Sequence, residues 1–302
     1  PRGDPLAMGN YAMFLHKVRR NKVEALRMFL AATEAYPEHS AILVKFASFK
    51  KYCGELDAAE KLFMRAVSLA KEGDGEALGA YAVFLHAVRQ DPARAGDMYD
   101  RAAKADPSHA NNLSNYGLFL SDVMGNAAEA EAMYKAALEA EPDHANAAYN
   151  YAVLLDSALR DVPRAEAMYR RVLGGDPKHA YALYNLAVLL EELEHRDQLG
   201  PDRDPGEVLS LYERAVKAAP KDALSAADLG RYLLTKVKDL DGAEAMLARS
   251  LQLDPNNSVA LYNMGLLLVD KKQDAGAATK LWKKLVSEVD PAHVNCLRRL
   301  AR

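Results

Sequence analysis

Residues 110–142 read ANNLSNYGLFLSDVMGNAAEAEAMYKAALEAEP. Apolar and small residues recur in this stretch every three or four positions, a spacing that places them on one face of a helix. Gly125 interrupts the pattern, and Pro142 ends it, because proline lacks a backbone N–H donor and disfavours helix in the residue before it. The stretch therefore predicts two helices, a short link between them and a stop.

The same pattern recurs along the whole chain. A large apolar or aromatic residue followed by alanine or glycine occurs at eight places, namely Tyr11-Ala12, Phe46-Ala47, Tyr81-Ala82, Tyr116-Gly117, Tyr151-Ala152, Leu186-Ala187, Leu229-Gly230 and Met264-Gly265. The successive spacings are 35 residues, except for one of 43 between Leu186 and Leu229. No segment alternates like a half-buried strand. A single helix pair cannot bury its apolar face, so the repeats are expected to stack into an all-α solenoid.

The unit from Ala110 to Pro142 resembles the tetratricopeptide repeat family. The family's unit has a small residue in helix A, an alanine and an aromatic in helix B, and a closing proline; here these are Gly117, Ala130, Tyr134, Ala137 and Pro142. The resemblance implies a right-handed α-α superhelix of about eight helix-turn-helix repeats, with residues 1–302 forming one domain. The period is mostly 35 residues rather than the family's 34, and we place the extra residue between helices A and B.

Two segments depart from the regular pattern. The spacing of 43 comes from a polar stretch at about 196–204, rich in Gly, Pro and Asp, which predicts a loop between the helices of the sixth unit. This loop is either a tolerated surface insertion or a contact for a partner. Residues at about 292–302 predict a partial or capping helix at the C-terminus.

Composition narrows the classes of partner and compartment. Lys and Arg total 39 against 42 for Asp and Glu, a net charge of −3 that favours no nucleic-acid partner. No run approaches the roughly 20 apolar residues of a membrane helix, so no membrane insertion is expected. The isolated Cys53 and Cys296 indicate thiols in a reducing compartment, and we expect an intracellular, cytoplasmic protein. A chain opening Pro-Arg-Gly-Asp-Pro looks like a fragment, which leaves open whether a targeting segment precedes it. The oligomeric state is left open.

Catalytic and metal-binding motifs are missing from the sequence. It contains no Cys-x-x-Cys, no His-Glu-x-x-His, no phosphate-binding glycine loop and no Gly-x-Ser-x-Gly. We therefore predict no enzyme activity, no catalytic residue, no metal site and no cofactor. The carboxylates Asp156, Glu191 and Glu192 are interpreted as part of a solvated face. His39, His109, His144 and His179 share one place after a closing turn, which predicts a capping role.

An asparagine directly precedes the large anchor residue in five of the eight units: Asn10, Asn115, Asn150, Asn185 and Asn263. Lys45, Ala80 and Asp228 occupy the other three positions. Because each lies one residue before a core position of helix A, they are expected to share one face and form a ladder. An amide offers both a donor and an acceptor, which matches the backbone of an extended peptide. Tyr149, Tyr184 and Tyr262 precede their asparagines and are predicted as apolar anchors for the peptide.

The ladder looks like the asparagine ladder in the tetratricopeptide repeats of O-GlcNAc transferase and kinesin light chain, where such residues hold an extended segment. The resemblance implies a concave groove and a protein-protein interaction scaffold that binds a protein or peptide there. In an alternative reading, the amides bond within the stack and stabilise it. Two other functions stay open: a substrate-selecting or regulatory arm of a larger enzyme, and an RNA-processing scaffold, because Tyr99-Asp100-Arg101-Ala102 and Tyr212-Glu213-Arg214-Ala215 resemble the half-a-TPR variant.

Overall fold

A computed structural model of the chain describes residues 4–71, 74–196, 198 and 204–301. Two compact units divide the chain, Pro1–Arg160 and Asp161–Arg302, called unit 1 and unit 2 below. The secondary structure of the described ranges is helical, and they contain no β-strand. The all-α fold class predicted from the periodicity is therefore confirmed.

Unit 1 is a series of antiparallel helix pairs that follow each other along the chain. Its described helices are α1 (Pro5–Lys17), α2 (Lys22–Ala35), α3 (Ser40–Tyr52), α4 (Leu56–Leu69), α5 (Gly75–Phe84), α6 (Pro92–Ala105), α7 (Ala110–Asp122), α8 (Ala127–Ala140) and α9 (Ala145–Ser157). A π-helical turn, Leu85–Arg89, continues α5. Each first helix of a pair, or helix A, packs against its own helix B and against the helix A of the next pair.

Unit 2 repeats the same arrangement. Its described helices are α10 (Val162–Gly175), α11 (Ala180–His195), α12 (Glu207–Ala218), α13 (Ala223–Tyr232), α14 (Leu240–Leu253), α15 (Ser258–Lys272), α16 (Ala275–Lys284) and α17 (Val294–Leu300). π-Helical turns extend α13 over Leu233–Val237 and α16 over Leu285–Val289. The loop predicted at 196–204 falls between α11 and α12, but residues 197 and 199–203 lie outside the described residues.

Side chains that accept hydrogen bonds from free backbone N–H groups start most of the helices. At four closing turns this cap is a histidine whose Nδ1 accepts: His109 from Asn112 N, His144 from Ala147 N, His179 from Ala182 N and His293 from Cys296 N, over 3.0–3.4 Å. The capping role predicted for His109, His144 and His179 is confirmed. His39 stands at the start of α3 without a cap bond, and within the described residues its buried Nδ1 has no hydrogen-bond partner.

The link between paired helices contains a residue in the left-handed backbone region. Seven such residues are Arg20, Gly54, Gln90, Gly125, Arg160, Lys238 and Gln273, with φ angles between 51° and 81°. This conformation ends helix A, and the next residue begins the approach to helix B. Glycine adopts a positive φ without strain, which explains Gly54 and Gly125 at this corner.

Small residues in helix A make room for a large side chain of helix B. A Cβ added to Gly117 would lie 2.8 Å from the ring of Tyr134, and one added to Gly265 would lie 2.2 Å from Nε1 of Trp282. Distances below 3.0 Å are not compatible with a side chain there, so the close approach predicted from the sequence is confirmed.

Aromatic stacking joins one pair to the next in unit 1. The aromatic residue of each helix B lies against the anchor residue of the following helix A, with ring centroids 5.2–6.1 Å apart: Phe29 on Phe46, Phe63 on Tyr81, Tyr99 on Tyr116 and Tyr134 on Tyr151. These separations fall within the range of favourable aromatic pairs. The repeated stacks form the centre of the core of this unit.

In four helix pairs, a basic side chain of helix B bonds to the preceding closing turn. The donor lies two residues after the large core residue and reaches a proline carbonyl, over 2.6–3.1 Å: Arg65 to Pro37, Arg214 to Pro177, Arg249 to Pro220 and Lys284 to Pro255. Arg214 is the arginine of the Tyr-Glu-Arg-Ala sequence, which therefore has a role within the stack.

Candidate functional site

In unit 1 the ladder positions fall on neighbouring A helices, as the repeat predicts. They are Asn10 on α1, Lys45 on α3, Ala80 on α5, Asn115 on α7 and Asn150 on α9. Asn10 is exposed, whereas Asn115 and Asn150 are half-buried. Among the described residues, the amides of these three asparagines make no hydrogen bond with the protein. Their donors and acceptors are therefore available to a ligand.

A second row of asparagines lies one turn before the ladder on α7 and α9. Asn111 and Asn146 are both exposed. His144 Nδ1 accepts from the backbone of its own helix, so its Nε2 carries the proton and donates to Oδ1 of Asn111 over 3.0 Å. Sequence reasoning missed this row, although its signal was a second asparagine spaced 35 residues apart in two successive units. We call Asn111, Asn115, Asn146 and Asn150 the amide surface.

Asn10 and Lys45 line one pocket between α1 and α3. The pocket has a volume of about 420 Å³ and is lined by Asn10, Met13, Lys17, Val44, Lys45, Ser48, Lys51, Tyr52 and Glu76. Three lysines surround a single carboxylate, so the pocket has a net positive charge. Polar, basic and apolar groups are thus available at the start of the ladder.

In unit 2 the ladder positions are engaged within the protein. The Nδ2 of Asn263 donates to the Val259 carbonyl of its own helix over 2.8 Å, and this asparagine is only 5% exposed. The carboxylate of Asp228 is buried and accepts from the hydroxyl of Tyr184 at 2.7 Å and from Arg231 at 3.1 Å. Asn185 is half-buried and also has an interaction partner. At Asn263, the arrangement matches the alternative in which an amide bonds within the stack.

The three tyrosines predicted as anchors are all half-buried. Tyr184 lines a pocket of about 550 Å³ beside the exposed Tyr181 and the turn 219–222. Tyr262 packs against His293 and Trp282, with ring centroids 5.0 and 6.4 Å apart. Tyr149 lies on α9, one residue before Asn150 of the amide surface. The ring of Tyr262 therefore packs within unit 2, whereas the ring of Tyr184 packs edge-on against Tyr212, 6.2 Å away, and also faces a pocket.

Glu191 is not part of a solvated face, and the sequence interpretation of this residue was wrong. It is 4% exposed and accepts two hydrogen bonds from Arg231, at 2.6 and 2.7 Å, and one from the Tyr212 hydroxyl at 2.7 Å. Burial by itself would raise the pKa of Glu191, but the bonds from Arg231 and Tyr212 prevail and hold it below its usual range. A carboxylate held ionised in this way joins α11, α12 and α13 and is poorly suited to exchange protons with a substrate.

Two further findings concern metal and membrane sites. Across the described ranges, no group of three or more His, Cys, Asp or Glu side chains is placed to hold a metal ion. Within the same ranges, no helix is both long and apolar enough to cross a lipid bilayer.

Comparison with known proteins shows which family of repeats this sequence is similar to. The sequence model of the tetratricopeptide repeat matches residues 123–158 and 155–194. A TPR repeat-containing protein of Dictyostelium discoideum is 37% identical over 70 residues, which span 23% of this chain and 26% of that protein. These matches support the tetratricopeptide repeat (TPR) family.

Solved TPR structures share the fold. YrrB, a TPR protein with an unusual peptide-binding site, is 23% identical with a TM-score of 0.53, and the match covers 68% of this chain and 98% of YrrB. PilF of Pseudomonas aeruginosa is 17% identical with a TM-score of 0.63, covering 75% of this chain and 97% of PilF. One chain in the structure of the APC/C hetero-tetramer Cut9–Hcn1 is 16% identical to this protein, with a TM-score of 0.64. The match covers 86% of this protein and 48% of that chain.

The TPR fold bears on the class of function. It is typical of non-catalytic scaffolds, and it suggests protein or peptide partners. Fold likeness at these identities does not identify the partner, so the function has to be argued from the surface itself.

Proposed function

We propose that this chain is a protein-interaction scaffold that binds an extended segment of a partner along the A helices of unit 1, with the amide surface of α7 and α9 as the central contact. The observation that carries the proposal is the set of unengaged amides: Asn115 and Asn150 occupy the same place on adjacent helices, and neither bonds within the described protein. Asn146, together with Asn111, whose Oδ1 already accepts from His144, adds a parallel row.

The geometry of stacked helices fits an extended backbone. Packed helices lie roughly 8–10 Å apart, and an extended chain rises about 3.3 Å per residue, so successive amides would meet the peptide at about every third residue. An asparagine donates to a peptide carbonyl and accepts from a peptide N–H, whatever the side chains of the peptide. The proposed recognition is therefore directed at the peptide backbone, and half-buried Leu118 and Val153 one turn further on supply apolar contact.

Two other observations support the same surface. The pocket around Asn10 and Lys45 extends it to α1 and α3 with basic groups that favour acidic side chains of the partner. YrrB, one of the structural relatives, is a TPR protein with a peptide-binding site. In this proposal, Asn185, Asn263 and the tyrosines Tyr184 and Tyr262 contribute less than the asparagines of unit 1, because they already have partners within the protein.

Affinity selection from a random peptide library, repeated with the double variant Asn115→Ala/Asn150→Ala, tests the proposal. We expect selected peptides to bind the variant about 5- to 150-fold more weakly, as the loss of 1–3 kcal/mol in buried hydrogen bonds requires. The matched control is Asn295→Ala, which removes an exposed amide from α17 and should bind normally.

The melting temperature separates the two roles of the amides. An unchanged melting temperature with weakened binding supports ligand contact. Unchanged peptide affinity in the double variant, or a loss of stability that accounts for the loss of binding, would contradict the proposal.

A further inference from the structure

Three lysines line the pocket between α1 and α3 without a carboxylate partner. They are Lys17 of α1 and Lys45 and Lys51 of α3, and within the described residues none of them makes an ion pair. Glu76, the carboxylate of the lining, is exposed and makes no ion pair in that part of the chain either. We call Lys17, Lys45 and Lys51 the lysine pocket.

A neighbouring lysine shows that a cation on α3 can be paired within the protein. Lys50, one residue before Lys51, pairs with Glu55 at 2.5 Å. Lys45 is held differently: a Cβ added to Gly9 would lie 3.1 Å from its Cδ, so the stem of this lysine lies against the backbone of α1. The lysine pocket thus has fixed positive charge without an internal complement, and an acidic group of a ligand would supply it.

The openness of the lysines on α3 is not due to a missing neighbour. This helix packs against α1, α2 and α5. Its anchor residue Phe46 is covered by Phe29 of α2, whereas Lys45 and Lys51 line a pocket together with the ladder residue Asn10. The lysine pocket therefore belongs to the surface along which the proposed peptide would lie.

The charge near the ends of the A helices reverses along unit 1. Lys17 on α1 and Asp122 on α7 each lie six residues after the anchor residue of their helix. Lys51 on α3 and Asp156 on α9 each lie five residues after theirs. Asp122 is exposed, and across the described ranges it makes no ion pair. The same places in the repeat are thus positive on α1 and α3 and negative on α7 and α9.

We infer that the partner segment is charge-polarised, with acidic side chains in the lysine pocket and a basic side chain beside Asp122. The inference rests on the proposed function, because it describes the segment that would lie along the A helices of unit 1. Three lysines exceed the charge of one terminal carboxylate, which favours two neighbouring Asp or Glu side chains as the occupant.

The stack of helices sets the distance between the two charged ends. With α5 between them, α3 and α7 are two helix steps apart, roughly 16–20 Å when packed helices lie 8–10 Å apart. An extended chain covers that distance in about five or six residues. The acidic pair and the basic residue of the partner are therefore separated by about five or six positions.

Selection from a synthetic library of twelve-residue peptides with acetylated and amidated ends tests the inference on the full chain. We expect selected peptides to contain an acidic pair and a basic residue about five or six positions away. In one such peptide the basic residue is then moved closer and farther, and fluorescence anisotropy should show the highest affinity at the predicted separation. Equal affinity at every separation, or binding that requires a free C-terminal carboxylate, would overturn the inference.

Two variants on one helix provide a matched pair. Lys51→Gln should weaken binding of the selected peptide about two- to fivefold, and the difference from wild type should shrink at high salt. Lys50→Gln removes the same charge from the next position, which pairs with Glu55, and should bind as wild type. Equal losses in both variants would indicate a general effect of charge and overturn the inference.

A charge exchange at the other end completes the test. Asp122→Lys should weaken the selected peptide, and replacing the basic residue of the peptide with glutamate should restore binding; no recovery would overturn the inference. If Asn115→Ala/Asn150→Ala weakens binding but Lys51→Gln and Asp122→Lys do not, the inference is overturned and the proposed function stands. If none of these variants weakens binding, both are overturned.

Discussion

At the scale of single residues, unit 2 has a buried ionic cluster that links three helices. The carboxylate of Glu191 on α11 accepts hydrogen bonds from Arg231 of α13 and Tyr212 of α12. The carboxylate of Asp228 accepts hydrogen bonds from Arg231 and Tyr184. Removing one member of a buried pair is more damaging than its net contribution suggests, because the remaining charge is left without a partner. The cluster therefore fixes how α11, α12 and α13 pack.

Glu191→Gln should lower the free energy of unfolding by about 2–3 kcal/mol at neutral pH, because Arg231 loses the nearer of its two carboxylate partners and keeps only Asp228. Since the folded-state pKa of Glu191 is lowered, its contribution is present above the pKa of the unfolded chain and is lost as the pH falls through the folded value. Urea unfolding between pH 3 and 7 should therefore show less acid dependence in the variant. Glu192→Gln, which changes a more exposed neighbour, should behave as wild type; a matching loss there would contradict this account.

His16 should make unit 1 sensitive to mild acid. Its ring is buried against Phe49 and Tyr52, and burial, followed by the nearby Lys22, Arg20 and Lys17, lowers its pKa. The unfolded chain then binds the proton more readily, so stability falls as the pH drops below the ordinary histidine value of about 6.5. Unfolding measured between pH 5 and 7.5 should show this slope in the wild type and a flatter one in His16→Leu. Equal slopes would rule out His16 as the source.

At the scale of elements, helix pairs, stops and small residues could be predicted from the sequence because each depends on local periodicity, proline chemistry or a close contact. Gly117 and Gly265 lie where the pattern requires a small residue, and large side chains fill the space beside them. Asn111 was missed because it lies one turn from the anchor residue that defines the repeat. The burial of Glu191 was missed because its partner Arg231 lies 40 residues away in the chain.

Two glycine-to-alanine substitutions, one in the corner between helices and one inside a helix, are predicted to change the stability in opposite directions. Gly125 has a φ of 63°, so Gly125→Ala should destabilise the protein by about 1 kcal/mol. Gly174 lies in the last turn of α10 with no atom within 4 Å of an added Cβ, so Gly174→Ala should stabilise it by about 0.5–1 kcal/mol. Thermal unfolding of both variants checks this, and shifts of the same sign would contradict the assignment of the corner.

At the scale of the whole molecule, the sequence predicted one solenoid over residues 1–302, and this remains a prediction beside the two compact units of the structure. In repeat proteins each unit contacts only its neighbours, so the sequence pattern constrains adjacent pairs most strongly. It does not constrain which ladder amides are engaged. Asn150 and Asn263 share one place in the repeat, yet only Asn263 bonds to its own helix, because that depends on side-chain conformation.

The central claim is that the amide surface recognises the backbone of an extended peptide. The most direct measurement is the affinity of one selected peptide and of its analogues N-methylated at a single position each, with alanine substitutions at the same positions as controls. We predict that N-methylation weakens binding about tenfold at roughly every third residue, where an amide would otherwise be contacted, while most alanine substitutions have small effects. Full affinity in every N-methylated analogue, with binding lost only on side-chain changes, would contradict the claim.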